Sequence, residues 1–241
     1  MQDTTISPPP LDIKKKPEKV PTVQYYVKFS FTITYILLMT TATITIIEAL
    51  RTKNAFVRHV LNLETCISIV AGYFYSVFTT QIDEYSKTNT VIDWGSITSL
   101  RYIDWSITTP LMLLTLAIVL SQNAGKVVYL STISMIVGLN YLMLFIGYLG
   151  ETNKINRLVA MILGYFPFFG MFYLIYVNYV KPRFSRANNI LFGLYLSVWG
   201  LYGLAYLIPE EFKNITMNIL DLIAKCLIGL GLWAYYTKIL H

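Results

Sequence analysis

Seven long runs almost free of charge follow one another along the chain: Phe29–Leu50, Val60–Ile82, Tyr102–Gly125, Val127–Gly150, Leu158–Val180, Ala187–Pro209 and Asn214–Thr237. Each is close to the ~20 residues that cross ~30 Å of hydrocarbon as a helix. Strict apolar–polar alternation is missing, which excludes a membrane β-barrel. The polar stretches between runs are short, apart from Asp83–Arg101. The pattern predicts an all-α membrane protein, a seven-transmembrane-helix bundle forming one domain over 24–241. Residues 1–23 read as a polar tail, rich in proline (Pro8, Pro9, Pro10, Pro17, Pro21) and lysine (Lys14, Lys15, Lys16, Lys19). The tail has no apolar core of its own, so it is not read as a cleaved signal peptide.

Composition agrees. Charged residues are 13% of the 241, about half the ~25% of a soluble domain. Two cysteines, Cys66 and Cys226, lie in apolar runs and give no disulfide framework. The net charge of +6 is partly the tail's and points to a membrane surface rather than to nucleic acid. Connections after the odd-numbered runs hold Arg51, Lys53, Arg58, Lys126, Lys181, Arg183 and Arg186, whereas those after the even-numbered runs mix Lys87, Lys154, Arg157 and Lys213 with acids. The positive-inside rule then places the C-terminus in the cytoplasm and the N-terminus outside, with the basic tail arguing the other way.

Charges within the runs are few and therefore informative, because each costs at least ~2.5–3.5 kcal/mol on insertion scales. Asp221 and Lys225 stand at i,i+4, one helical turn apart on one face. Asp104 lies one turn from Arg101, and Glu64 is alone in the second run. One reading is a structural salt-bridge network. The other makes Lys225 a desolvated amine able to form a Schiff base with an aldehyde, with Asp104 and Asp221 as counter-ions. Only two histidines are present, His59 and His241, so no metal site is expected; nucleophile triads and phosphate loops are absent too, and the chain does not read as an enzyme.

Four segments, in order, carry a family resemblance. Arg101-Tyr-Ile-Asp-Trp-Ser-Ile-Thr-Thr-Pro-Leu111 resembles the third helix of microbial rhodopsins, and Asp221-Leu-Ile-Ala-Lys225 the seventh. Trp199-Gly-Leu-Tyr202 is similar to the sixth helix, and Ile146-Gly-Tyr-Leu-Gly-Glu151 to the end of the fourth. The resemblance implies all-trans retinal as a protonated Schiff base on Lys225. It makes Asp104 the primary proton acceptor, Asp221 the second counter-ion and Arg101 the arginine of the extracellular half. Tyr75 and Tyr202 would hydrogen-bond Asp221. Trp105 and Trp199 would enclose the polyene, and Thr109, Met112, Met143, Gly147, Met171 and Tyr206 would line the pocket. Met112 implies green absorption. For the apolar and aromatic positions, the residues alone favour ordinary core packing.

The chain departs from the proton-pump pattern. Thr115, 11 residues after Asp104 and so ~16 Å along the helix, replaces the usual carboxylic donor. Gly203 replaces a proline, and Phe74 a histidine. Glu64, 11 residues before Tyr75, is expected level with Thr115. It offers a relocated donor or a cation gate, or is a carboxylate reaching the surface. A helix-two glutamate without a helix-three donor resembles the viral rhodopsins of large DNA viruses. Asn214 and Asn218, at i,i+4, fit an ion path as in the cation-channel group of those proteins. The expected function is a light-gated cation channel, with a light-driven outward proton pump as the alternative and a sensory receptor as a third. The expected partners are the lipid bilayer, retinal, monovalent cations or protons, and further copies of the chain.

Overall fold

The computed structural model describes residues 22–88 and 90–238; the tail, apart from its last two residues, lies outside the described residues. These residues form seven membrane-length helical segments: α1 (Thr22–Arg51), α2 (Ala55–Thr88), α3 (Trp94–Ala124), α4 (Leu130–Glu151), α5 (Arg157–Val180), α6 (Arg186–Ala205) and α7 (Glu210–Tyr236). Six are long and apolar enough to cross a bilayer. The shorter α6 falls below that mark because Asn188 and Asn189 dilute its first turns. Its Asn188 is buried, donating to the Leu120 carbonyl (2.9 Å) and accepting from Asn123 (2.8 Å).

The long connection expected over Asp83–Arg101 does not exist. α2 continues to Thr88 and α3 begins at Trp94. Hydropathy marks where hydrocarbon ends, not where a helix ends. Asp83 and Lys87 merely prolong α2 past the apolar zone, with Lys28 pairing with Asp83 at 2.6 Å. Asp93 then caps α3, its side chain accepting from the Ser96 amide at 3.1 Å. Gly125, at φ 65°, ends α3 in the left-handed region. Asn156 caps α5 through the Leu158 amide at 2.9 Å.

Two irregularities fall near the bundle centre. Pro110 inside α3 cannot donate to the Ser106 carbonyl, and the Tyr141 hydroxyl of α4 donates to that oxygen instead, at 3.0 Å. α7 widens into a π-helical stretch over Leu222–Leu227, which carries Lys225. Such widened turns concentrate at functional sites. α1 packs against α2 and α7, and α4 against α5. The main apolar core runs between α3, α5, α6 and α7. A second, around Phe31, Tyr75 and Phe78, joins α1 to α2.

Candidate functional site: a lysine, two carboxylates and an aromatic cavity

The 3.6-residue period sets Arg101, Asp104, Thr108 and Met112 on the inner face of α3, and Asn214, Asn218, Asp221 and Lys225 on that of α7. All eight are buried. Lys225 Nζ lies 2.8 Å from Asp104 Oδ2 and 3.4 Å from Asp221 Oδ2. Asp221 also accepts from the Tyr75 hydroxyl (2.8 Å) and the Tyr202 hydroxyl (2.5 Å). Both its oxygens thus have partners, whereas Asp104 Oδ1 has none among the described residues.

On the side of this centre away from Glu64, Arg101 is held through its two terminal nitrogens, while its Nε has no partner among the described residues. Its guanidinium donates to Asn218 Oδ1 (2.8 Å), Asn214 Oδ1 (3.1 Å) and the Tyr75 hydroxyl (3.2 Å), and stands 3.6 Å from Asp221. Phe31, Tyr75 and Phe78 present ring faces to it at 5.3–5.8 Å. Asn218 donates in turn to Ser30 of α1 at 2.9 Å.

A cavity beside Lys225 is lined by residues of α3, α4, α5, α6 and α7. Trp105, Thr109 and Met112 of α3 line it, with Met143 and Gly147 of α4 and Trp199 and Tyr202 of α6. Tyr206 closes one end, its hydroxyl donating to the Gly147 carbonyl at 2.9 Å. An apolar molecule bearing an aldehyde suits a cavity lined by aromatic side chains and an amine.

A scan of protein families matches residues 26–239 to one described as bacteriorhodopsin-like protein. The chain belongs to the bacteriorhodopsin-like family. Among solved structures, this rhodopsin is similar to viral rhodopsin OLPVRII, at 42% identity and a TM-score of 0.81, over 88% of this chain and 98% of that one. It shares its fold with xanthorhodopsin, described as a light-driven ion pump with dual chromophore (20% identity, TM-score 0.73, covering 89% and 93%). It also shares it with a blue light-absorbing proteorhodopsin from Med12 (21%, TM-score 0.69, covering 88% and 97%). A search of curated proteins gave no match. The family implies a retinal chromophore. The cavity fits one: it is apolar and aromatic, and Asp104 beside the lysine keeps an unpartnered oxygen.

One residue expected on the pocket wall, Met171, is not among its lining residues, and Tyr75 bonds Asp221 as expected. Met171 is fully buried in the core, and the α5 wall is made over the one to three turns before it, by Met161, Gly164, Tyr165 and Phe168. Tyr75 reaches the site only through Asp221, Arg101 and Asn218. Lining residues that the sequence did not single out include Tyr102, Leu144, Met217 and Ala224. Gly203, where pumps carry proline, acquires a reason. A Cβ there would stand 2.5 Å from the Tyr165 hydroxyl, which donates to the Gly200 carbonyl at 2.8 Å. Tyr165 takes the room a larger residue would need.

Glu64 is 2% exposed, a buried carboxyl of α2 and not one reaching the surface. A Cβ at Gly229 of α7 would stand 2.8 Å from its Oε2, so a larger residue there would make the carboxyl shift. Among the described residues Oε1 has no partner, nor has Ser68 Oγ one turn along α2. At the other end, Glu151, Arg157, Glu210 and Lys213 form a closed cluster. Lys213 is 2.9 Å from Glu151 and 2.8 Å from Glu210, and Arg157 is 2.6 Å from Glu151. The sequence had shown these only as connection charges. With Lys213 1% exposed, they tie α4, α5 and α7 together.

Proposed function

We propose that this rhodopsin binds all-trans retinal on Lys225 and is a light-gated cation channel, its path running between α1, α2, α3 and α7. The observation that carries this is a column of buried polar groups along the length of that interface. α1 contributes Ser30, Thr34, Thr41 and Thr45, which share one face. α2 contributes Glu64, Thr65, Ser68 and Tyr75, and α7 contributes Asn214 and Asn218. Polar groups in a membrane interior are costly and mark ion pathways by default. The threonines return hydroxyl bonds to their own helix, but Glu64 Oε1 and Ser68 Oγ do not, at ~1–3 kcal/mol each. A hydrated, ion-bearing state recovers that cost.

Retinal, bound as an imine, supplies a light-driven change of shape at the Lys225 nitrogen. The chain's own groups do the rest. Asp104 and Asp221 hold the proton at Nζ. Tyr75 and Tyr202 fix Asp221, so Asp104, with one oxygen uncommitted, is the group that accepts a proton. Arg101 repels cations and plugs the column while Asn214 and Asn218 hold it. Any motion of α7 that carries the two asparagines away releases it. Glu64 forms the second constriction.

The basic connections face the cytoplasm, so the C-terminus is inside and the N-terminus outside. A second reading is the outward proton pump, favoured by Glu64 as a buried carboxyl with an unpartnered oxygen that can reprotonate the Lys225 nitrogen. Proteoliposomes loaded with a potassium gradient separate the two. Channel activity gives light-dependent flux down the gradient in whichever direction it is set; a pump gives proton movement of one sign without a gradient.

A further inference from the structure

A second cavity lies outside the chromophore site, at the basic end of the bundle. It is a groove of ≈ 640 Å³ between α6 and α7, with Val119 and Asn123 of α3 also lining it. Its α6 wall is a single stripe at four-residue steps: Arg186, Ile190, Leu194 and Val198. Its α7 wall is Leu227, Gly231 and Tyr235, again four apart. Gly231 makes the slot, since nothing lies within 4 Å of where its Cβ would be. From Arg186 to Val198 the stripe is ~18 Å long, the reach of an extended hydrocarbon chain.

The ends of the groove differ. The deep end is wholly apolar, at Val198 and Ile223. The outer end carries the exposed guanidinium of Arg186 and the Tyr235 ring, an arginine–tyrosine pairing suited to the headgroup level. Lys181 and Arg183 precede Arg186 in the same connection, and Lys126 lies in the neighbouring one. Neither connection holds an acid, and no acid lines the groove. We infer that this groove is a binding site for one anionic glycerophospholipid of the bilayer, an acyl chain lying between α6 and α7 and the phosphate on Arg186. An apolar groove with all its charge at one mouth, Arg186, matches the charge pattern of that amphiphile, an apolar chain with a single anionic head. The site is independent of which ion the protein moves.

Native mass spectrometry of the retinal-loaded protein tests this, with phosphatidylglycerol and phosphatidylcholine of identical chains as probes. The wild type is expected to retain one phosphatidylglycerol, with a preference of ~10-fold or more over phosphatidylcholine. Arg186→Gln should lose the preference while still binding both. Gly231→Leu should lose the bound lipid altogether, because the side chain fills the slot; an unchanged visible band shows that it folds. Equal retention of the two lipids by the wild type would overturn the proposal, as would undiminished phosphatidylglycerol on Gly231→Leu. A dimer mass abolished by Gly231→Leu would also overturn it, making the groove a contact between copies.

Discussion

Replacing Asn218 by alanine is expected to loosen the closed state rather than the chromophore. Asn218 accepts from Arg101 at 2.8 Å and donates to Ser30 at 2.9 Å. Arg101 keeps Asn214, Tyr75 and Asp221, so the guanidinium is weakened in its seat and not expelled. A hydrogen bond to a charged group is worth ~1.5–3 kcal/mol. If the conducting arrangement lacks that bond, its equilibrium with the closed one moves by roughly 10–150-fold. The alanine variant should therefore close more slowly after a light pulse and leak in the dark. Asn218→Asp should do the reverse, because a carboxylate facing Arg101 holds it harder. Whole-cell recording of current decay after a flash reads both effects. Equal decay in all three proteins, or shifts of the same sign in the two variants, would refute the idea that Arg101 is the plug and Asn218 its latch.

Asp104→Asn removes a negative charge 2.8 Å from Lys225 Nζ and is expected to shift the visible band to longer wavelength, while Lys225→Ala should abolish it; absorbance of retinal-reconstituted protein decides both. Glu64→Gln should change ion selectivity while leaving the band in place, and Gly229→Ala, which displaces the Glu64 carboxyl, should mimic it in bi-ionic reversal potentials. Glu151→Gln leaves buried Lys213 with Glu210 alone and should destabilise the protein by an amount near the lower end of the ~3–5 kcal/mol typical of a broken buried pair, read as a lowered thermal midpoint of the visible band with little change in its wavelength.

The helices were legible because crossing a bilayer forces long apolar runs, and seven such runs leave few alternatives. Their ends were not. Asp83 to Arg101 looked like a loop because hydropathy falls there, whereas the structure follows capping by Asp93 and keeps Arg101 inside α3. The site's axis was legible where it rests on helical period: Asp221 with Lys225, and Asn214 with Asn218. What joins separate helices was not. Ser30, one hydroxyl in an apolar run, gives no sign that it receives Asn218. Glu151 and Lys213 are 62 residues apart, and only the packing of α4 on α7 makes them a pair. Met171 illustrates the same limit. Whether an α5 side chain faces the cavity or the core depends on the rotation of the helix, which composition does not encode.

The most direct test of the account is the photocurrent of retinal-supplied cells expressing the protein, stepped across voltage with asymmetric cation concentrations. A gated path through the Arg101 and Glu64 constrictions predicts a current that reverses near the cation equilibrium potential and follows it when the external cation is exchanged. A current of one sign at every voltage would contradict the channel and leave Glu64 as a proton donor.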